Sequence, residues 1–157
     1  MQQFNFINNT LNLKVKKSPL IIRIIIFFFA FAFFIFPLIG VILSIANRSG
    51  LNIGYFIAVG IFSLLGFYLL RVALWNTYGE ETINILENKV IYEANYGWFK
   101  DAKKEMIFSD LEYSFKSVGY EEDNEAVLVL SSKEDQVESV VKMSIPQLEE
   151  LIFILKP

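Results

Sequence analysis

The side chains best placed to do chemistry in this chain are carboxylates. All 17 acidic residues lie at or after Glu80, with Glu80 and Glu81 adjacent and Glu121-Glu122-Asp123-Asn124-Glu125 forming the densest run. Paired carboxylates can exchange protons or hold a divalent cation, but the run lacks the ligand spacing of an EF-hand loop. An acidic surface turn accounts for it more economically. Cysteine and histidine are both absent. Without them there is no disulfide framework, no thiolate or imidazole ligand for a metal, and no general base of the commonest kind. Neither a nucleophile–base set nor a glycine-rich phosphate loop can be assembled. The expectation is a non-enzyme with no cofactor and no metal site.

Two other groups of residues have binding chemistry. Lys14, Lys16 and Lys17, with Arg23 and Arg71, are candidates for contact with anionic lipid headgroups. Tyr96, Trp98 and Phe99, around Gly97, form an aromatic loop. Its side chains either pack about a turn or meet a partner or membrane surface. Nucleic acid is a poor partner, because the eight lysines after Glu80 are outnumbered by the acids there.

The elements that must position these groups fall into two physically different parts. Six basic residues and no acid precede Glu80, and the apolar residues concentrate between Leu20 and Trp75. Residues 20–46 and 51–75 are two apolar runs, each long enough to cross a hydrocarbon core of about 30 Å at about 1.5 Å per residue. Asn47-Arg48-Ser49-Gly50 breaks them, so they are expected to fold back as an antiparallel transmembrane hairpin. Lysines cluster before the first run, whereas the loop carries only Arg48. The positive-inside rule then places both termini in the cytoplasm. Arg71, near the end of the second run, is expected to snorkel towards the headgroups. Ser44-Ile45-Ala46 resembles a signal-peptide cleavage site, but the run before it is longer than a signal h-region and another apolar run follows at once. Gly40 with Ser44, and Gly54 with Ala58, have the spacing of close-packed helix faces, as do Gly60, Ser63 and Gly66. They serve packing within the hairpin or assembly with another membrane subunit. Pro37 is a potential kink.

Outside residues 20–75 the hydrophobic period becomes two. Phe4 and Phe6, then Leu11, Leu13 and Val15, flank Asn8-Asn9. They read either as a strand pair or as one strand, 10–16, added to a C-terminal sheet. After Tyr78, alternating runs contain Ile83 and Ile85; Val90, Tyr92, Ala94 and Tyr96; Met106 and Phe108; Leu111, Tyr113 and Phe115; Ala126, Leu128 and Leu130; and Val137 through Ile145. Six short strands imply antiparallel meanders with one buried face. Leu148, Leu151, Ile152 and Leu155 then recur at helical spacing. Ser144 and Gln147 are placed as a capping box.

The hairpin Glu80–Tyr96, the segment Ile107-Phe108-Ser109-Asp110-Leu111 and Ser144-Ile145-Pro146-Gln147 carry a resemblance to pleckstrin-homology-like (PH-like) domains. The full layout resembles bacterial proteins of the YcxB-like type. That resemblance implies an α+β membrane protein of the inner membrane: an N-terminal strand segment at 1–19, a hairpin at 20–75, and a cytoplasmic antiparallel PH-like β domain at 76–157 closed by a helix at 146–155. Phosphoinositide binding does not carry over, because Lys100, Lys103 and Lys104 alternate with Asp101 and Glu105. The expected function is docking of a protein partner, or regulation of a membrane complex, by the β domain. The alternative is an immunity or accessory role, with the hairpin binding a toxin or membrane subunit.

Overall fold

The computed structural model describes residues 2–48, 50, 52–119, 122 and 124–156. Of the turns expected from sequence, Ser49, Glu121 and Asp123 lie outside the described residues. The chain divides into two compact units: residues 17–77, and a second formed by 1–16 together with 78–157.

The first unit is built on helices α1 (Leu20–Ala46) and α2 (Ile53–Tyr78). At about 1.5 Å per residue each is about 40 Å long. Both are long and apolar enough to cross a membrane, with mean hydropathies of 2.9 and 2.1 in their most apolar stretches. α2 runs three residues past the expected end at Trp75 because its last polar side chains satisfy themselves on the helix. Asn76 Nδ2 donates to Val72 O at 2.9 Å and Thr77 Oγ1 to Ala73 O at 2.7 Å. The helices touch at small residues. A Cβ on Gly66 would lie 2.9 Å from Phe34 Cε2 and 3.1 Å from Ala30 O, and the Phe33 and Phe62 rings are 5.5 Å apart. Ser18 Oγ donates to Asn76 Oδ1 at 2.6 Å, fixing the open end in the same antiparallel register. That register brings Arg23 and Arg71 to about the same level of the hairpin.

The second unit is β. Strands β1 (Phe4–Ile7) and β2 (Thr10–Lys14) are joined by Asn8 and Asn9, both left-handed at φ 49° and 61°. Two left-handed residues make the turn type whose twist suits a hairpin, and asparagine tolerates that conformation better than most residues. β3 (Glu80–Ile85), β4 (Lys89–Asn95) and β5 (Lys100–Ile107) complete a five-stranded sheet in the order β1-β2-β3-β4-β5. Of the two sequence readings for the N-terminal segment, the strand pair forms, and its second strand also joins the sheet. Leu11 lies opposite Ile83, and Lys14 opposite Glu80. Val15 N donates to Gly79 O at 3.0 Å beyond the last paired residues.

A second sheet contains β6 (Glu112–Ser117), β7 (Glu125–Ser131) and β8 (Gln136–Glu138), with the short β9 (Met143–Ser144) also on β7. α3 (Ile145–Leu155) packs on β6, β7 and β9 and buries Leu148, Leu151 and Leu155. The expected capping box is not made: Ser144 stands at the N-cap, but its side chain makes no cap hydrogen bond. Fewer donors need it. Pro146 has no N–H, and Ile145 N donates to Asn124 O at 3.1 Å.

The alternating run expected from Val137 through Ile145 is broken. β8 ends at Glu138, β9 begins at Met143, and the cause of the gap is a buried side chain from the other sheet.

Candidate functional site

Glu81 is on β3 and is 0% exposed. Its parity along the strand is that of Ile83, so the strand pleat turns it into the core. Three donors from elsewhere in the β unit meet it there. The Tyr92 hydroxyl donates to Oε1 at 2.6 Å, Val140 N to Oε1 at 2.6 Å, and Val141 N to Oε2 at 3.3 Å. The carboxyl thus occupies the place of a neighbouring strand for residues 140–141, and the pairing of this segment with β7 is interrupted there, between β8 and β9. Ser139 completes the detour: its backbone N donates to Leu128 O at 2.8 Å, and its Oγ accepts from Leu128 N at 2.9 Å. The Gln3 side chain donates to Lys142 O at 3.0 Å, so β1's leader also holds this segment.

The electrostatics follow from burial. Removal from water raises the Glu81 pKa above the ordinary carboxylate range, and the Tyr92, Val140 and Val141 donors only partly offset this. Tyr92 is likewise pushed up by burial, and further by the negative charge and hydrogen bond of Glu81. Such a shift is common in catalytic acids. A catalytic acid must nevertheless reach a substrate, and Glu81 is sealed off from solvent. Its role in this arrangement is to join the two sheets.

Next to this network a cleft of about 450 Å³ opens between β5 and β8, lined by Tyr92, Ala102, Lys104, Asp135, Gln136 and Val140 among others. Lys104 is committed across it: its Nζ donates to Asp135 Oδ1 at 2.9 Å and to Gln136 O at 2.6 Å. The same contact, together with Gln136 N, holds the Asp135 carboxyl below its usual pKa. Ala102 is left-handed at φ 56°, and the β4–β5 register shifts between Tyr92 and Ala94. This bulge twists the edge strand away from further pairing. With its lysine already paired, the cleft offers no free cation to an anionic ligand.

The sequence-derived candidates are placed as follows. Lys14, at the end of β2, and Lys16 and Lys17, which follow it, are exposed, whereas Arg23 and Arg71 are half-buried on α1 and α2. The aromatic loop splits. Tyr96 is buried and stacks on Phe99 with ring centroids 4.9 Å apart, whereas Trp98 is 61% exposed. Core packing therefore explains Tyr96 and Phe99 but not Trp98. Of the small residues in the hairpin, Ser44 is buried and donates to Gly50 O at 2.8 Å, and Ala58 is half-buried. A Cβ at Gly54 would meet only the side chain of Asn52, and one at Gly40 or Gly60 would meet nothing within 4 Å. The close approach falls at Gly66 instead. No group of three or more acidic residues with the geometry to hold a metal ion occurs among the described residues.

Sequence reasoning missed Glu81 as a buried group, although its parity with Ile83 was the available signal. It also missed a row of exposed apolar side chains near the turns at one end of the five-stranded sheet. Asn9 O accepts from Ile85 N at 2.8 Å, Asn88 O from Phe108 N at 3.0 Å, and Lys89 O from Leu86 N at 2.9 Å. Ile7, Leu86 and Ile107 are exposed around these turns, Ile107 by 76%. The pairing puts this end of the five-stranded sheet opposite the end where Lys14 faces Glu80.

These features define an α+β chain in which a two-helix apolar hairpin is inserted into an antiparallel β unit. No protein-family model, curated protein or solved structure matches it.

Proposed function

We propose that the chain is an integral protein of the bacterial inner membrane. Its hairpin spans the bilayer with both termini cytoplasmic, and its β unit, read as a PH-like domain of the YcxB-like type, docks a protein partner or regulates a membrane complex without catalysing a reaction. Exposure supports the spanning part. Only 11% and 6% of the most apolar stretches of α1 and α2 are buried within the protein, which leaves their surface needing lipid. Construction supports the topology. The β unit takes strands from both sides of the hairpin, so both flanks must share one compartment, as two spans allow.

The observation that carries the docking reading is the exposure of three large apolar side chains, Ile7, Leu86 and Ile107, along one end of the five-stranded sheet. They lie at the end of the sheet opposite the one at which Lys14 faces Glu80. Expression of the tagged chain and of an Ile7→Ser, Leu86→Ser, Ile107→Ser variant, followed by quantitative capture in mild detergent, tests it. The expected result is a stoichiometric protein held by the wild type and reduced at least about tenfold by the variant, the loss of one or two apolar anchors. Equal capture by both would remove this surface. A measurable turnover with no captured protein would overturn the non-enzymatic reading.

One observation favours the alternative, an immunity or accessory protein that binds a toxin or membrane subunit through its hairpin. Gly40 and Gly60 are glycines that hairpin packing does not use, since nothing lies within 4 Å of where their Cβ atoms would be. Small residues on a lipid-facing surface permit close approach of another helix.

A further inference from the structure

We propose that Trp98 is a membrane-interface anchor of the β unit, inserting into the lipid headgroup layer; the inference rests on the spanning reading above. The turn that carries it is rigid. Tyr96 N donates to Phe99 O at 2.9 Å, and Asn95 Oδ1 accepts from Gly97 N at 2.8 Å. The Tyr96 and Phe99 rings stack beneath, with an interplanar angle of 13°. Gly97 has φ +85°, and a Cβ there would lie 2.8 Å from Tyr78 Cβ, so only glycine fits.

That contact locates the loop. Tyr78 is the last residue of α2, covalently joined to Thr77, where the hairpin unit ends. The loop is therefore pinned against the point where the chain passes into the apolar helix. Trp98 follows Gly97 and is 61% exposed, and Tyr78, which meets Gly97, is exposed as well. Scattered exposed aromatics are ordinary, but this one is held in place by a preformed turn packed on the last residue of α2, and tryptophan and tyrosine favour a bilayer interface. The chain charge agrees. Lys14, Lys16 and Lys17 are exposed at the same junction and suit an anionic headgroup layer. Lys100 adds nothing, because Glu93 neutralises it at 2.7 Å. Glu80 and Asp101 lie at the same end and temper the charge, so the aromatic side chain supplies the anchor and the lysines supply the preference for anionic lipid.

The chain has two tryptophans, and each can report separately. Full-length Trp75→Phe and Trp98→Phe variants are reconstituted into phosphatidylcholine–phosphatidylglycerol vesicles containing phospholipid brominated near the glycerol end of its acyl chains. The expected result is a blue-shifted Trp98 emission, quenched by the brominated lipid to an extent comparable with Trp75. Quenching of Trp75 with none of Trp98 would overturn the anchor and leave the spanning reading intact. Absence of quenching at both would overturn the two together.

Discussion

Replacing Leu11 and Leu13 together with alanine will unfold the β unit, although both residues precede the hairpin in sequence and most of the unit follows it. Each side chain is completely buried, and each pairs through its strand with β3, Leu11 opposite Ile83 and Leu13 opposite Glu81. Truncating a buried leucine costs about 2–5 kcal/mol, so the pair costs about 4–10 kcal/mol if the two sites add. Domain stabilities run to about 5–15 kcal/mol, so the loss consumes most or all of it. Limited trypsin digestion in detergent reads the outcome. Lys89, Lys100, Lys103 and Lys104 sit on β4 and β5 and are protected while the sheet persists. The double variant will be cut there at concentrations that leave the wild type intact, whereas Lys14→Ala, at an exposed position, will behave as wild type. Equal resistance in the double variant would mean that the N-terminal strands only decorate the fold.

Glu81→Ala has the second largest effect, and Glu81→Gln separates its causes. Alanine leaves the Tyr92 hydroxyl and the Val140 and Val141 N–H groups without their acceptor and opens a hole between the sheets. Losing the acceptor of a buried network of this kind costs about 3–5 kcal/mol. For a unit of this size that corresponds to at least about 12 °C in the unfolding midpoint. Glutamine keeps the size and one acceptor oxygen, so it will lose much less.

The two also differ in pH dependence. Burial raises the folded-state pKa of Glu81 above 4.5. Above that unfolded value, the folded protein holds a proton that the unfolded chain releases. The stabilisation from Glu81 is therefore fully present below 4.5 and is lost as pH rises through its raised value. Asp135 runs the other way, since its lowered pKa favours the fold as pH rises, but it is exposed and unchanged in the variant. The difference between wild type and Glu81→Gln cancels it. Thermal melts across this range will show the wild-type advantage over Glu81→Gln shrinking as pH rises. A difference that stays constant with pH would show that Glu81 keeps an ordinary pKa.

The same buried carboxyl explains where the sequence was legible and where it was not. The bounds of α1 could be read directly, because one apolar run with a single charge is broken only at Asn47-Arg48. The buried face of α3 was equally plain from Leu148, Leu151 and Leu155. The run from Val137 to Ile145 read as one strand because local alternation cannot reveal that Val140 and Val141 give their N–H groups to a side chain 59 and 60 residues away. β5 begins at Lys100, although alternation became visible only at Met106, because an edge strand is kept charged and bulged to prevent stray pairing. The aromatic loop is legible as a unit, yet its division into two stacked rings and one exposed indole depends on the turn at Gly97, which alternation along the loop does not encode. The place of the N-terminal strands is open at the level of sequence for a related reason. Two segments separated by the entire hairpin carry compatible patterns, and only their pairing selects the register.

The proposed topology has both flanks of the hairpin in the cytoplasm and the connection between its helices outside. The absence of cysteine makes this directly measurable. Single cysteines at Asn5, Asn52 and Ser132 report on β1, the connection and the turn before β8, and intact cells are treated with a membrane-impermeant maleimide. The expected result is labelling of Asn52→Cys in intact cells, with Asn5→Cys and Ser132→Cys labelled only after permeabilisation. Labelling of Asn5→Cys or Ser132→Cys from outside the intact cell would contradict it.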